Sequence, residues 1–346
     1  MKVALFGAGR IGNVHAASIK MNPRSELVAV TDIVPEAAEA LAWNHGITAA
    51  SADAILADAG IDAILIASST NTHADLIEQG VKAGKAIFCE KPIDLDLSRA
   101  LDIGKMVQGY DKPVMVGFNR RFDPNFAALK MALDAGEVGK SVLLTVTSYD
   151  PAPPPIDYIK VSGGLYRDMT IHDFDMCAFL FGMPETLSAH GACMVDPLIG
   201  KAGDIDTAVV VLAYADGRLA TIRNSRRAPY GYDQRVEILG SKGTLVANNV
   251  LENTVVKSTN EGCTSARPVN FFLERYMRAY EIEWQVFVDS CINGELVPAN
   301  IQDGINALAL AEAANLSQAQ GRPVAVTAEM TRGQELEPWP CRGGGF

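Results

Sequence analysis

The sequence predicts an α/β domain on a parallel sheet, followed by an α+β domain with a large, mostly antiparallel sheet. Three observations predict it. Short, wholly apolar runs alternate with helix-forming stretches through the first third of the chain, and from about Val142 the strands lengthen and alternate apolar with polar residues. The length, 346 residues, suits two domains better than one. Buried apolar strands separated by helices belong to a parallel sheet covered on both faces, whereas alternating strands pack one face and wet the other.

The elements follow in order. Val3 to Phe6 is a strand closed by glycines, and a helix runs from about Arg10 to Met21 before the strand Leu27 to Val30. Pro35 to Trp43 is rich in helix formers, and Pro35 suits a first turn, where a missing N–H costs nothing. Ile61 to Ala67 is a strand, Thr72 to Ala83 a helix, Ala86 to Cys89 a strand and, after a further helix, Pro113 to Val116 another. The grammar changes after Asn119, so the domains are read as 1–119 and 120–335, with 336–346 a tail. In the second domain Leu143 to Ser148 is a strand. Thr207 to Tyr214 pairs with Leu219 to Asn224 through Asp216-Gly217, a hairpin signal. Gln234 to Leu239 turns at Gly240-Ser241-Lys242-Gly243 into Thr244 to Val246, and helices span Ile171 to Phe181, Tyr276 to Asn293 and Gln302 to Gln318.

Composition excludes several functions. A formal net charge of −11 argues against binding a phosphate backbone, which needs clustered cations, and against an anionic membrane surface. No apolar run reaches the ~18 residues of a membrane span, and Met1 to Phe6 is too short for a signal peptide core. Six cysteines without a Cys-x-x-Cys pair read as reduced, cytoplasmic usage, with neither a disulfide frame nor a metal site.

Gly7-Ala8-Gly9-Arg10-Ile11-Gly12 fits G-x-G-x-x-G between a strand and a helix, and Asp32 ends the second strand twenty positions later. The glycines let the backbone approach a pyrophosphate, which free amides at the helix N-terminus hold. A carboxylate at Asp32 accepts from the ribose hydroxyls and repels a 2′-phosphate, and Ile33 and Val34 offer no cation, so NAD is expected over NADP. Arg10 is either a phosphate contact or a solvated side chain.

Glu90-Lys91-Pro92 ends a buried strand on the carboxyl edge, where ligands of such sheets bind. Pro92 keeps Lys91 out of helical geometry, so its side chain either projects into the cleft or belongs to an ordinary surface turn. Asp168 and His172 stand four apart and face one way if a single helix holds both. Otherwise Asp168 or Thr170 caps a helix start, and His172 is a structural histidine.

These motifs resemble the glucose-fructose oxidoreductase and inositol dehydrogenase family, and within it the inositol 2-dehydrogenases acting on myo- or scyllo-inositol. The resemblance spans nearly the whole chain. It rests on Gly7 to Gly12, Glu90-Lys91-Pro92, Val116 to Pro124, Asp168 to Asp175, Tyr230 to Asp233, and Tyr280 within the Arg278 to Phe287 helix. It implies that Lys91, Asp168 and His172 are catalytic and that the protein is a homotetramer. The candidate cofactor set is Gly7, Gly9, Arg10, Ile11, Gly12, Asp32, Ile33, Ser69, Asn71, His73, Glu90 and Lys91. Asn119, Arg120, Tyr149, Asp150, Asp168, His172, Tyr232 and Tyr280 form the candidate substrate set, which mixes polar groups with aromatic edges as a polyol requires. Asn119 departs from the apolar residue common at that position.

The expected reaction oxidises a secondary hydroxyl of a cyclic polyol. His172 acts as base, Lys91 steadies the developing alkoxide, and Asp168 orients and relays the proton. An aldopyranose dehydrogenase would use the same three residues. A hydrolase or epimerase that borrows and returns the hydride would also suit the motifs, as would a non-catalytic NAD sensor, although a sensor has no need of a proton relay.

Overall fold

A computed structural model describes residues 1–327 and Met330; the expected tail, 336–346, lies outside the described residues. The chain divides into two units, Met1–Asp123 with Met277–Leu308, and Pro124–Tyr276 with Ala309–Phe346.

The first unit alternates strand and helix as expected: β1 (Lys2–Phe6), α1 (Arg10–Met21), β2 (Glu26–Thr31), α2 (Pro35–His45), β3 (Thr48–Ala49), α3 (Ala52–Ala57), β4 (Ala63–Ile66), α4 (His73–Lys82), β5 (Ala86–Glu90), α5 (Leu97–Met106) and β6 (Val114–Gly117). The six strands are parallel, in the order β3-β2-β1-β4-β5-β6. The order reverses between β1 and β4, and a doubly wound sheet opens its ligand crevice at the carboxyl ends of such a pair. Capping is local: Ser51 Oγ accepts from Ala54 N at the start of α3, and Asp96 accepts from Ser98 N at the start of α5.

Residues from far along the chain complete this unit. The Phe88 ring on β5 lies edge-on to Trp284 and Phe287 at 6.1 and 5.7 Å. Trp284 Nε1 donates to Ser25 Oγ at 2.9 Å, and the amide of Val116 donates to Ala299 O at 2.8 Å. A single cut after residue 119 placed Met277–Leu308 in the second domain; the chain instead returns them to the first.

The second unit begins with α6 (Pro124–Asp134), β7 (Ser141–Tyr149), α7 (Ile156–Ile159), α8 (Leu165–Asp168) and α9 (Ile171–Phe181). It continues with β8 (Thr186–Ala192), α10 (Pro197–Lys201), β9 (Thr207–Ala213), β10 (Leu219–Ser225), β11 (Asp233–Gly240), β12 (Gly243–Ala247) and the small hairpin β13 (Val256–Thr259) and β14 (Gly262–Ser265). Then α11 (Phe272–Asn293) and α12 (Ile301–Gln320) carry the chain into and out of the first unit, before β15 (Val324–Ala325). The seven-stranded sheet runs β12-β11-β7-β10-β9-β8-β15, antiparallel except for β7 with β10. Both hairpins expected from the sequence are present, β9–β10 and β11–β12. Alternation decides the faces. Val210, Leu212, Ile222 and Ile238 are fully buried, while Val209, Val211, Leu219 and Leu239 are 38–45% exposed. Among the described residues no helix is long and apolar enough to cross a membrane.

Candidate active site

In the first unit, the three glycines of the turn do three different jobs. Gly7 has φ 107°, and a Cβ there would lie 2.5 Å from the Ala67 carbonyl oxygen, so the turn after β1 demands glycine. A Cβ on Gly12 would run into the Gly7 carbonyl, so α1 can start this close to β1 only without a side chain. A Cβ on Gly9 would meet nothing within 4 Å. That open space faces the start of α1, where Gly9 supplies no side-chain cap and leaves the first amides to a ligand. Gly12→Ala is therefore expected to destabilise the fold by about 3 kcal/mol. Gly9→Ala should melt like the parent while its NAD Kd weakens about tenfold or more, because only the pyrophosphate cradle is filled. Thermal melts and cofactor titration of the pair separate the two jobs.

Asp32, at the end of β2, holds this turn: Oδ2 accepts from Ala8 N at 2.6 Å and Oδ1 from Val34 N at 2.8 Å. Ile33 beside it is 94% exposed. Ser69 and Asn71 are exposed in the short 3-10 turn region after β4, also on the carboxyl edge. His73 starts α4 on the same edge, but its ring bonds backbone carbonyls. It is buried, with Nδ1 2.7 Å from Pro92 O and Nε2 3.1 Å from Ser68 O, so it ties the loop after β5 to the loop after β4. Burial lowers its pKa, outweighing the two carbonyls that favour the proton.

Lys91 leaves the end of β5 half-buried, and its peptide bond to Pro92 is cis. Its amide donates to Glu90 Oε2 at 3.3 Å, while Glu90 Oε1 lies 2.7 Å from Nε2 of His15. Glu90 thus spends its carboxylate inside the protein, and its partner is His15, a residue that belongs to none of the sequence motifs. Tyr280 is 5% exposed and stands edge-on to the His15 ring at 5.4 Å. Asn119 and Arg120 occupy a buried 3-10 turn after β6. Arg121 next to them is committed to Asp303 and Pro298 O, and Asn119 Oδ1 is buried without a hydrogen-bond donor.

In the second unit, one helix does not hold both Asp168 and His172. Asp168 ends the four-residue α8, and His172 is the second residue of α9. Met169 and Thr170 between them keep right-handed helical angles, so the break is tight and the four-residue spacing still spans about one turn. Neither candidate side chain caps α9. Thr170 occupies the cap position, but its hydroxyl goes to Asn224 Oδ1 at 2.8 Å. Asn224 Nδ2 donates to Asp173 Oδ2 at 2.7 Å, and Ser148 Oγ donates to Asp173 Oδ1 at 2.5 Å. This buried network pins the start of α9, and with it the backbone of His172, to β7 and β10.

Asp168 is itself held on both oxygens. Tyr158 donates its phenol to Oδ1 at 2.8 Å and Arg226 donates to Oδ2 at 3.1 Å. Arg226 is 1% exposed, and the same nitrogen, Nη2, lies 3.9 Å from Asp204 Oδ2. Asp204 in turn accepts from Leu165 N at 3.0 Å, fixing the first residue of α8. Of the remaining candidates, Tyr149 and Asp150 are half-buried at the end of β7, where the Asp150 amide donates to Ser225 O at 2.9 Å. Tyr232 is buried against the edge of Tyr276 at 6.0 Å. Neighbouring Asp233 is also buried. Burial alone would raise its pKa, but hydrogen bonds from Arg235, Tyr230 and Asn249 outweigh it and hold the carboxyl below its ordinary value.

A glycine turn, an uncapped helix start and an acid at the end of β2 define the class, a dinucleotide-binding protein of doubly wound α/β type. Residues 1–118 match the model of the oxidoreductase family with an NAD-binding Rossmann fold, and residues 126–246 match the GFO/IDH/MocA C-terminal domain. The chain belongs to the GFO/IDH/MocA family of oxidoreductases, and its cofactor is NAD. It is 48% identical to the inositol 2-dehydrogenase of Rhizobium meliloti, over 94% of this chain and 99% of that protein. It is 45% identical to the myo-inositol 2-dehydrogenase of Thermotoga maritima, over 94% and 98%. The scyllo-inositol dehydrogenase of Lactobacillus casei, solved with NAD(H) and scyllo-inositol, superposes with a TM-score of 0.87 at 31% identity, covering 94% of this chain and 99% of that one.

Proposed function

We propose that the chain oxidises a secondary hydroxyl of myo- or scyllo-inositol to the ketone, using NAD. The observation that carries this reading is Asp168, fixed by Tyr158 and buried Arg226 one turn before His172. A proton-transfer pair needs such a pre-set orientation. The chain's similarity to inositol 2-dehydrogenases supports the substrate class. Asn119 Oδ1 supports it too, as a buried acceptor that a polyol hydroxyl would satisfy.

In this reading His172 takes the hydroxyl proton, and Lys91 donates a hydrogen bond to the same oxygen as alkoxide charge develops. Asp168 keeps its geometry through Arg226 and Tyr158, and orients the proton acceptor. Arg120, Tyr149, Asp150, Tyr232 and Tyr280 complete the substrate set. The turn Gly7 to Gly12 would hold the pyrophosphate, Asp32 the ribose, and Ile33, Ser69 and Asn71 would flank them. NAD, when bound, accepts the hydride from the carbon bearing the hydroxyl. The exposed apolar stripe Val209, Val211, Leu219 and Leu239 supports a homotetramer closed over that sheet face. The free cysteines support a cytoplasmic enzyme.

The test is NADH formation from a panel of inositols and aldopyranoses with NAD or NADP. Turnover of myo- or scyllo-inositol with NAD is expected, with NADP about a hundredfold poorer. Turnover of aldopyranoses alone would reassign the substrate, and no turnover at all would overturn the reading. Asp32→Ala should narrow the preference for NAD about tenfold or more, since it removes both the ribose acceptor and the charge that repels a 2′-phosphate.

A further inference from the structure

Lys91 sits between two residues that are each held by a buried histidine. Pro92 behind it is bonded through its carbonyl to His73, at 2.7 Å. Glu90 ahead of it is bonded through its carboxylate to His15, at 2.7 Å. Glu90 Oε2 also accepts from the amide of Lys91 itself, at 3.3 Å. One carboxylate therefore grips both a ring on α1 and the backbone of the lysine.

The placement of His15 gives this contact its meaning. It lies on the second turn of α1, the helix that starts at the glycine turn, and its side chain is 1% exposed. Phe88 and Tyr280 stand edge-on to the ring at 5.2 and 5.4 Å. Nδ1 is buried and meets no hydrogen-bond partner. A proton there would be left unmet, so the proton sits on Nε2 and is donated to Glu90. A buried carboxylate facing an imidazole is a costly way to fill space, and an apolar pair of the same volume would stabilise the fold at least as well. A Cβ on Gly117, opposite Glu90 across the β5–β6 ladder, would come within 3.2 Å of that carboxylate, so the neighbouring strand is kept bare to leave it room.

We propose that His15 and Glu90 are positioning residues for catalysis. They lock the backbone of Lys91 to the helix that seats the dinucleotide, so that lysine and cofactor are placed by one rigid connection. The proposal rests on the reading that Lys91 acts on the reacting oxygen. Small displacements of a catalytic group cost far more in rate than in binding, so the pair acts on kcat.

The experiment compares His15→Leu, His15→Gln, Glu90→Gln and Lys91→Ala in the full chain with myo-inositol, scyllo-inositol and NAD. Gln at 15 retains an N–H donor near the position of Nε2; Leu fills the volume and removes the donor. His15→Leu should lower kcat about thirtyfold, with KM for the inositol and the Kd for NAD within about threefold of the parent. His15→Gln should recover most of that loss, and Glu90→Gln should lower kcat about tenfold while melting like the parent. Equal losses in His15→Leu and His15→Gln that follow the melting temperature would overturn the proposal, as would unchanged kcat in His15→Leu. If His15→Leu does not fold, Glu90→Gln decides: parental kcat there overturns the proposal. Lys91→Ala separates the two readings. Full activity in Lys91→Ala refutes its catalytic role, whereas an inactive Lys91→Ala beside fully active His15 and Glu90 variants refutes only the positioning pair.

Discussion

His172→Ala is expected to lower kcat about a thousandfold, the middle of the range for removal of a positioned general base. The side chain is half-buried on a helix whose start is pinned by the Thr170–Asn224–Asp173–Ser148 network. Truncation should therefore leave the melting temperature within a few degrees of the parent. Loss of rate with retained stability distinguishes a chemical role from a structural one. Lys91→Ala should cost about a hundredfold or more, the scale of one donor aimed at a developing oxyanion. The double variant should fall little below the worse single variant, because groups that act as one unit do not contribute additively. Steady-state kinetics and NAD titration on the three variants check this. A double variant that multiplies the two single losses would show that the residues work independently.

Arg226→Met is expected to lower stability by about 3–5 kcal/mol, as removal of one partner from a buried ion pair does. The guanidinium is 1% exposed and lies between Asp168 at 3.1 Å and Asp204 at 3.9 Å. Without it the two carboxylates lose their common counter-charge, and α8 loses the brace at each of its ends. Activity should fall with stability, since Asp168 is released. Arg226→Lys should recover only part of either, because an ammonium restores the counter-charge that Nη2 presents to both acids but not the length and planar shape of the buried guanidinium. Chemical denaturation gives the first quantity and kcat the second. A parental denaturation midpoint for Arg226→Met would show that the brace carries no stability.

Much of the fold is legible in the sequence because its signals are local. The glycine turn, the acid ending β2, the apolar parallel strands and the Asp-Gly hairpin each declare themselves within a few residues. What the sequence hides is non-local. His15 and Glu90 are 75 positions apart, and Asp168 and Arg226 are 58 apart. No spacing rule joins such pairs. The break between α8 and α9 is hidden because Met169 and Thr170 keep helical angles and Thr170 looks like an ordinary cap. Its hydroxyl is drawn to Asn224, a contact that exists only once β10 is in place. The return of Met277–Leu308 to the first unit is invisible for a related reason. An amphipathic helix shows in its sequence that it covers a core, but not which core.

That return limits how the protein can be divided. The first 123 residues contain all six strands of the parallel sheet, but not Trp284, Phe287 and Ala299, which cover Phe88 and extend the bonding of β6. A fragment ending there would expose the ring that its own fifth strand buries and leave the Val116 amide without its carbonyl. The nucleotide-binding half is therefore not a detachable cassette. Recombination at residue 119 would graft an unfinished module, and an exchange between relatives would have to carry the 277–308 segment with it.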